Sequence, residues 1–429
     1  MYQRFQTHST RSHPHGQLLC ELLAVATQAA DPGQQIAHTL HSDATQVVIG
    51  TEVLTPSSVV LLAVGKAAQT MATAAAERLG THLSHGLVIY KDDEGVARHP
   101  RLHYHAAGHP VPDQRSLQAG IRARQLVAQT SPHQLIVVLL SGGGSALMCD
   151  PYPGITLPMM QQLTRDLLAC GADINAINTI RRRIDRVKGG GLLQAAGTTP
   201  MRTLILSDVI GNPLAAIASG PTIPNPDESH AAWQVVRNTG IQVDASIATI
   251  LDTPLATPPD FGVSPLIIGD IRGAIAAVAT AARHAGYAPM ILSDCLDGEA
   301  RDVGRTLAHI VTYQAQHTPR GCVIAGGETT VTLRGKGRGG RNQELALSAA
   351  MGIAGYPNLL AAAYATDGSD GPTDAAGAVI SGDTLARAHQ PLVRLANNDS
   401  YTLFAELDDL LKPGATGTNV NDLFVALWS

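Results

Sequence analysis

The chain has 429 residues and a formal net charge of −5, with 45% hydrophobic residues but only 3% aromatic ones. At about 150 residues per domain, this length favours two domains. The mild negative charge excludes a general affinity for nucleic acid or for an anionic membrane surface. A core of Ala, Val, Leu and Ile is typical of helices over buried parallel strands, so we expect an α/β fold.

Strand-like and helix-like segments alternate along most of the chain. We expect the polar leader up to Gly16 to be frayed and a helix to follow at 18–29. Further strands are predicted at 58–64, 135–140, 203–206, 265–269, 290–292, 322–325, 329–333 and 359–365, and further helices at 66–79, 273–285, 300–314 and 342–350. This alternation predicts βαβ units and mostly parallel sheets that are covered on both faces.

The stretch 252–265 interrupts this alternation with Pro254, Pro258, Pro259 and Pro265. Closely spaced prolines are typical of a linker. We therefore place the domain boundary there and predict one domain over residues 1–255 and a second over residues 256–429.

Cysteine use and hydropathy bear on location. The five cysteines are widely spaced and form no C-x-x-C pair, which indicates a reducing compartment without a disulfide framework or a cysteine zinc site. No apolar run approaches the roughly 18 residues that span a bilayer. The apolar stretch 18–26 is interrupted by Glu21 and is typical of a helix, not of a signal peptide. We expect a cytoplasmic protein with no membrane or nucleic-acid partner.

The segment 326–347, GGETTVTLRGKGRGGRNQELAL, combines cations and glycines in one loop. Arg334, Lys336, Arg338 and Arg341 precede a helix-like stretch, so that cations and helix N–H groups would face the same anion. Phosphate or carboxylate is the natural ligand. A solvated basic turn is the alternative without a function.

The same loop matches a dinucleotide-binding fingerprint, because Gly335, Gly337 and Gly340 have G-x-G-x-x-G spacing. That fingerprint expects an acidic residue about twenty positions later, where this chain has Leu359 and Leu360. The lysine and arginine between the glycines favour a phosphoryl group over a dinucleotide.

A second glycine loop follows the predicted strand 135–140 and consists of Ser141, Gly142, Gly143, Gly144 and Ser145. Its backbone N–H groups and two hydroxyls could surround a phosphate. A tight strand-to-helix turn is the alternative. Three consecutive glycines between serines favour binding, and we assign the loop to the nucleotide.

Lys66 stands at the first turn of a predicted helix, where the helix dipole disfavours a cation. A bound phosphate would hold it there, and a surface lysine is the alternative. The surrounding residues are not a Walker A loop, because Val60 and Ala67 replace its first glycine and its hydroxyl residue. A second basic stretch holds Arg183 and Lys188; we assign Lys188 to nucleotide phosphate, with a solvated helix face as the alternative.

Three acidic residues, Asp208, Glu328 and Asp367, each follow a predicted strand. Ligands bind outside the carboxyl ends of the strands in open α/β sheets. Mg²⁺ needs one or two carboxylates together with water and nucleotide oxygens, so we predict these three as its ligands. The histidines at 99, 103, 105 and 109 fit no standard zinc spacing, and we expect them to be hydrogen-bonded or on the surface.

Seven motifs, in the same order along nearly the whole chain, resemble the glycerate 2-kinases that carry a C-terminal MOFRL domain. They are GKAA (65–68), AGHPVPD (107–113), SGGGSAL (141–147), VKGGGL (187–192), LSDV with IASGPT (206–222), GGETT with GRGGRNQELAL (326–347) and ATDGSDGPTDAAGA (365–378). The resemblance implies a Rossmann-like three-layer N-terminal domain and a smaller C-terminal domain containing the MOFRL region at about 320–427, with the site in the cleft between them. It also implies ATP-dependent, Mg²⁺-assisted phosphorylation of the 2-hydroxyl of D-glycerate.

In such an enzyme Lys66 and Arg338 or Arg341 would compensate charge on the transferred phosphoryl group or clamp the glycerate carboxylate. One residue departs from the family, which has Gly-Asp after LSDV where this chain has Gly211-Asn212. If that second acid helps to hold Mg²⁺ in the family, Asp208 must suffice here. An NAD(P)H-dependent hydroxypyruvate reductase and a non-catalytic regulator that binds sugar acids are the alternatives. A homodimer is one assembly that the sequence allows.

Overall fold

The computed structural model describes residues 2–91, 95–228, 230–254 and 265–429. The strands are β1 (Leu40–Ser42), β2 (Val47–Ile49), β3 (Glu52–Leu54), β4 (Val59–Val64), β5 (Leu83–Tyr90), β6 (Leu102–Ala106), β7 (Leu135–Leu140), β8 (Met201–Leu206), β9 (Leu266–Gly269), β10 (Ala288–Leu296), β11 (Gly321–Gly327), β12 (Leu360–Ala365), β13 (Gly377–Ser381), β14 (Leu410–Leu411) and β15 (Asp422–Trp428). The helices are α1 (His8–Ser12), α2 (Gly16–Ala29), α3 (Pro32–Thr39), α4 (Ala68–Leu79), α5 (Gln114–Ala128), α6 (Gly144–Leu147), α7 (Leu157–Ala169), α8 (Ile174–Ile184), α9 (Gly191–Ala196), α10 (Ala231–Thr239), α11 (Ala245–Asp252), α12 (Ile271–His284), α13 (Ala300–His317), α14 (Arg341–Ile353), α15 (Thr384–Arg387), α16 (Pro391–Ala396) and α17 (Ser400–Glu406). None of the described helices is long and apolar enough to cross a membrane.

The chain divides into two compact units. The first, which we call the inserted unit, is Pro32–Ile268; the second, the split unit, combines Met1–Asp31 with Gly269–Ser429. This division differs from the one predicted from sequence, which changed domain at 255/256 and gave the leader to the N-terminal domain. Residues 255–264 of the predicted linker lie outside the described residues.

The leader is not frayed as the sequence prediction had it, because side chains anchor it to the split unit. Phe5 is buried and meets the ring of Tyr364 edge-to-face at 5.4 Å between centroids. The backbone N–H of Ser9 donates to Asp409 at 2.7 Å, and the hydroxyl of Ser9 donates to the same carboxylate at 2.8 Å. These partners stand some 360 to 400 positions later, so no local pattern could reveal them.

The inserted unit contains the parallel sheet that the sequence predicts. Its described strands follow the order β6-β5-β4-β7-β8-β9, and the four pairs from β6 to β8 are parallel. All residues of β4 and β7 are buried, because α4 covers one face of the sheet while α5 and α9 pack on the other. A small antiparallel sheet, β1-β2-β3, lies in the same unit. The carboxyl ends of β4, β7 and β8 therefore meet at one sheet edge.

The sheet of the split unit is mixed, so the expectation of mostly parallel strands holds for the inserted unit alone. Its order is β10-β11-β15-β12-β13-β14, and β15 runs antiparallel to both of its neighbours. In this register Asp422 pairs with Gly327 on one side and with Ala365 on the other. Residues that follow β11 and β12 therefore lie at the edge where β15 begins.

The strand predicted at 329–333 is wrong. Within the described residues, this stretch makes a single bridge, between Thr330 and Glu299, and Leu333 is 79% exposed. β-Branched residues suit a strand only where a partner strand is available. The segment is instead an extended connection from β11 to α14.

Candidate active site

In the inserted unit, three loops converge at the carboxyl ends of β4, β7 and β8. Lys66 follows β4, Ser141 follows β7 and Asp208 follows β8. The backbone N–H of Lys66 donates to the carbonyl of Gly142 at 2.9 Å, and the hydroxyl of Ser141 accepts from the N–H of Ala67 at 3.0 Å. The fold thus brings together Lys66, Asp208 and the whole glycine loop 141–145.

Glycine is required in this loop because other groups press against its backbone. A Cβ atom on Gly142 would lie 1.9 Å from Oδ2 of Asp208. A Cβ atom on Gly143 would lie 3.0 Å from the ring of His109 and 3.4 Å from Cγ of Lys66, and the φ of 85° at Gly143 favours glycine. Asp208, His109 and the stem of Lys66 therefore surround the loop at van der Waals distance.

The loop also presents unused hydrogen-bond donors. In the described part of the chain, the backbone N–H groups of Gly142, Gly143, Gly144 and Ser145 make no hydrogen bond. The ammonium of Lys66 has no hydrogen bond or ion pair there either. Successive N–H groups beside a cation form an anion-binding concavity. This arrangement suits a phosphate.

The IASGPT segment supports the loop from behind. Ser145 and Ser219 share a hydrogen bond at 2.8 Å, and Ser219 donates to Oδ1 of Asn178 at 3.2 Å. A Cβ atom on Gly144 would lie 2.8 Å from Cβ of Ala218. Ala218 and Ser219 have φ values of 50° and 60°, which cost energy in residues other than glycine. The segment holds the loop in place, a role that sequence reasoning missed.

Lys188 does not fit its predicted role in binding nucleotide phosphate. Its ammonium donates to Asp185 at 2.5 Å and to the carbonyl of Met148 at 3.0 Å, and the residue is only 3% exposed. An ammonium that a buried carboxylate already neutralises has little charge to offer a phosphate. Lys188 instead connects the start of α9 to the segment after α6.

His109 and Asn212 complete this region. The sequence prediction grouped His109 with histidines that are hydrogen-bonded or on the surface, and the structure adds that its ring lies against Gly143. Its place in the AGHPVPD motif was the available signal. Asn212, which stands where the family has Asp, has a φ of 54°. Asparagine tolerates this left-handed conformation, so the turn keeps its shape without the second acid.

In the split unit, Arg341 at the start of α14 is held by two carboxylates. Its Nε and Nη2 donate to Asp422, the latter at 3.2 Å, and Nη1 lies 2.8 Å from Oε1 of Glu328. Burial raises the pKa of Asp422 to about 7, against the lowering effect of Arg341. Burial lowers the pKa of Arg341, but the hydrogen bond to Asp422 outweighs it, so the guanidinium stays charged.

A protein carboxylate, not a free site, occupies the N terminus of α14. Asp370 is 2% exposed and accepts from the backbone N–H of Asn342 at 3.1 Å and of Gln343 at 2.9 Å. Burial raises the pKa of Asp370, and these hydrogen bonds lower it in part. The expectation that this helix end faces a ligand anion is therefore wrong, because Asp370 already satisfies its first donors.

The basic loop before α14 is an extended segment with two different sides. Its glycines face residues 397–400: a Cβ atom on Gly335 would lie 2.4 Å from the carbonyl oxygen of Asn397, and one on Gly337 would lie 2.4 Å from Cβ of Asp399. Asn397, Asn398 and Asp399 accept the backbone N–H groups of residues 334–338. The backbone is thus unavailable to a ligand, contrary to the sequence prediction.

The cations of this loop point the other way. Arg334, Lys336 and Arg338 are exposed, and the side chains of Arg334 and Lys336 have no hydrogen bond or ion pair in the described part of the chain. The guanidinium of Arg338 stacks on the ring of Tyr401 at 4.1 Å from its centroid. The loop therefore offers side-chain charge alone.

The predicted metal ligands lie in different units, with Asp208 in the inserted unit and Glu328 and Asp367 in the split unit. Among the described residues, no three His, Cys, Asp or Glu side chains gather in one place. Mg²⁺ that bridges nucleotide phosphates takes only one or two protein carboxylates. Asp208, against the glycine loop, fits this requirement. Glu328 fits it less well, because Arg341 and Asn421, at 2.8 and 3.4 Å, engage its two oxygens.

These features define an α/β protein in which free backbone N–H groups and a lysine lie at the carboxyl ends of parallel strands, an arrangement suited to a small anion. The sequence profile described as "Domain of unknown function (DUF4147)" matches residues 18–252, and that of the "MOFRL family" matches residues 321–422. The chain belongs to the glycerate 2-kinase family that combines these two regions.

Named relatives and solved structures agree with this family. The D-glycerate 2-kinase of Thermotoga maritima is 37% identical over 96% of this chain and 97% of its own length, and the glycerate 2-kinase of Pyrococcus horikoshii is 34% identical over 95% and 96%. A relative from Agrobacterium vitis, 37% identical over 85% and 86%, is provisionally named a hydroxypyruvate reductase. The crystal structure of the glycerate kinase of Thermotoga maritima has a TM-score of 0.87 at 36% identity, covering 95% of this chain and 98% of that one. A structure from Pyrococcus horikoshii has a TM-score of 0.85 at 33% identity, covering 95% and 97%.

Proposed function

We propose that this protein transfers the γ-phosphoryl group of ATP to the 2-hydroxyl of D-glycerate, giving 2-phosphoglycerate and ADP. The observation that carries the proposal is the run of unpartnered N–H groups at 142–145 beside the ammonium of Lys66. Membership in the glycerate 2-kinase family supports the choice of substrate. The reaction is that of a phosphotransferase with an alcohol acceptor.

Phosphoryl transfer requires positioned groups and compensation of charge more than covalent chemistry from the protein. In our proposal the loop 141–145 holds phosphate oxygens of ATP through its N–H groups. Lys66 supplies a point charge to the same phosphates. Both come from rigid strand ends, so little motion is needed to align them.

The acceptor needs an anion clamp for its carboxylate and a group that takes the hydroxyl proton. Arg338 and Arg341 are the proposed clamp or charge compensators, since guanidinium groups bind carboxylate and phosphate in a fixed geometry. His109 is the proposed proton acceptor, because its ring lies beside the phosphate loop and an imidazole titrates near neutral pH.

Mg²⁺ would neutralise developing charge on the phosphates when bound. Asp208 is its first proposed ligand, because its carboxylate lies against Gly142. Glu328 and Asp367 are the further carboxylates that we propose for it. The side chain of Glu328 is 45% exposed, so its pairing with Arg341 can be exchanged.

The test mixes purified protein with ATP, Mg²⁺ and D-glycerate and identifies the product by NMR. Formation of 2-phosphoglycerate, and its loss on chelation of Mg²⁺, are the expected results. Formation of 3-phosphoglycerate would overturn the assignment of the 2-hydroxyl. Parallel reactions with hydroxypyruvate and NADH or NADPH address the reductase alternative. Consumption of reduced nicotinamide without any phosphorylated product would replace the kinase proposal with the reductase.

The structure gives no support to a dinucleotide site at Gly335, Gly337 and Gly340. A dinucleotide fingerprint needs a strand before the loop and bare glycine backbone against the pyrophosphate. Here the preceding residues form no strand within the described part of the chain, and the glycines pack on residues 397–399 and on Asp370. This favours the kinase.

A further inference from the structure

A cavity of about 320 Å³ lies in the inserted unit, next to the glycine loop. Its walls come from residues 110–112, from α7 and α8 and from Lys188, and most of its surface is apolar. Ser145, the last residue of the glycine loop, lines one part of it. The volume lies in the range of small-molecule pockets. A ligand bound there would continue into the proposed phosphate site.

Three consecutive arginines lie near the end of α8, and two of them are engaged. Arg182 donates to Asp227 at 2.7 Å and to the carbonyl of Ala215 at 3.1 Å. Arg183 donates to the carbonyl of Leu251 at 2.9 Å at the end of α11. Arg181 lines the cavity instead and, within the described residues, makes no hydrogen bond or ion pair.

The position of Arg181 on its helix explains why it faces the cavity. Ile177, Arg181 and Ile184 fall at i, i+4 and i+7 and so share one stripe of α8. Both isoleucines are buried. Burial lowers the pKa of Arg181, and the field of Asp185, which Lys188 already neutralises, opposes this only in part. A guanidinium in an apolar stripe without a partner is unfavourable unless a ligand contacts it.

Two properties of the cavity select the kind of ligand. Its mostly apolar surface suits a flat ring better than glycerate, whose hydroxyls and carboxylate need polar partners along their whole length. A planar, unpaired guanidinium is suited to stack on an aromatic ring. A ligand with a ring and a phosphate chain could place the ring in the cavity and the phosphates against the adjoining glycine loop.

We propose that this cavity binds the adenine base of ATP, with the guanidinium of Arg181 stacked on the base. The inference rests on the proposed function, because ATP is the ligand of the adjoining loop. It adds that the α7 and α8 helices determine nucleotide preference. Arg181 is the residue that recognises the ring.

Two variants test the proposal through binding of ADP, measured by calorimetry on the full chain. Arg181→Met removes the stacking cation, and Leu168→Trp fills the cavity from its rim, where Leu168 is 60% exposed. Each is expected to weaken ADP binding about tenfold. Tripolyphosphate, which lacks the base, should bind as it does to the unsubstituted protein. Ile174→Trp is the control, since Ile174 is 59% exposed but does not line the cavity.

The unfolding midpoint separates a binding role from a structural one. Arg181→Met should keep or raise the midpoint, because it removes a half-buried charge that has no partner within the described residues. A lowered midpoint with unchanged ADP affinity would assign Arg181 to the fold and overturn the proposal. Unchanged ADP affinity in both variants, with 2-phosphoglycerate still formed, would place the base elsewhere while leaving the kinase assignment intact. An unsubstituted protein that binds neither ADP nor tripolyphosphate and forms no product would overturn the proposed function itself.

Discussion

Asp422 holds the guanidinium of Arg341 through two of its nitrogens. The contact is set by sheet register, since Asp422 begins β15 opposite Gly327 and Arg341 begins α14. A carboxylate that accepts two bonds fixes the plane of a guanidinium as well as its position. Of the two carboxylates that hold this proposed active-site cation, the buried Asp422 therefore contributes most to its orientation.

Asp422→Asn should lower kcat about tenfold or more with little change in the KM for ATP, because Arg341 loses the charge that orients it. The free energy of unfolding should fall by about 2 kcal/mol. Steady-state kinetics and thermal unfolding measure both effects. For stability, Glu328→Gln is the matched comparison: Glu328 also pairs with Arg341 but is 45% exposed, so its loss should cost under about 1 kcal/mol. Equal destabilisation by both substitutions would contradict this account.

The pH dependence of kcat should reflect the protonation of Asp422, the partner of Arg341. Burial raises the pKa of Asp422 from its ordinary 3.8 to about 7, so this carboxyl gains a proton as pH falls through neutrality. We expect kcat to decline on the acidic side with a midpoint near pH 7. In Asp422→Asn this acidic decline of kcat should be absent, because the amide cannot titrate. A variant that keeps the acidic decline of kcat would assign it to a group other than Asp422.

The free energy of unfolding should respond to pH in the opposite sense to kcat and decline as pH rises. The folded protein holds the proton of Asp422 more tightly than the unfolded chain does, so the contribution of Asp422 to the free energy of unfolding is fully present below about pH 4. It is lost as pH rises toward the folded-state pKa of about 7. The free energy of unfolding, measured by chemical denaturation between pH 5 and 8, should therefore decline less with pH in Asp422→Asn than in the unsubstituted protein. An identical slope in the two proteins would contradict this account.

Lys66→Ala should reduce kcat/KM by about a hundredfold or more, the scale for losing a charge aimed at a transition state. The unfolding midpoint should stay unchanged, because the ammonium of Lys66 has no partner within the described residues. Lys66→Arg should restore little activity, since a planar fork does not replace a compact ammonium. Near-normal kinetics in Lys66→Ala would remove the residue from the site.

Gly142→Ala should lower activity about tenfold or more, because the added methyl would lie 1.9 Å from Oδ2 of Asp208 and must displace it. Gly273→Ala in α12 is the control: its methyl would meet its nearest neighbour, Oδ1 of Asp270, at 3.7 Å. That variant should keep full activity. Comparable losses in the two variants would show that a general intolerance of alanine, and not the contact with Asp208, is responsible.

Lys188→Met should lower stability far more than it changes the KM for ATP, because the ammonium is paired with Asp185 although the residue lines the cavity. Removing the ammonium leaves the carboxylate of Asp185 buried without a partner, at a cost of about 3 kcal/mol. Adding Asp185→Asn should recover part of that loss, as expected for a coupled pair. Denaturant unfolding of the single and double variants gives the coupling energy. A raised KM for ATP with unaltered stability would return Lys188 to the nucleotide site.

Local sequence pattern was sufficient to predict which residues meet at the carboxyl ends of the parallel strands. Apolar runs located β4, β7 and β8, and the residues just after them, Lys66, the glycine loop and Asp208, converge in the structure. Parallel strands bring their carboxyl ends together whatever lies between them. The convergence of these loops could therefore be predicted without knowledge of tertiary contacts.

Sequence pattern failed where a residue's partner is distant along the chain. Glycines and cations at 334–340 suggested backbone open to a ligand, but the acceptors of the N–H groups of residues 334–338 stand 60 to 64 positions later. Lys188 and Asp185 are close in sequence, but the sequence pattern does not indicate that both side chains are buried. Arg181 was passed over in favour of Arg183, although its place in the stripe of Ile177 and Ile184 was a readable signal.

The position of β15 has a consequence for folding during synthesis. Among the described strands β15 is synthesised last, yet it lies between β11 and β12 in the sheet. On the ribosome the inserted unit has all of its residues while the split unit still lacks the strand that joins its two halves. A nascent chain can thus carry the complete glycine loop 141–145 long before Asp422 emerges to orient Arg341. The contact between these two residues should therefore form only after β15 has joined the sheet.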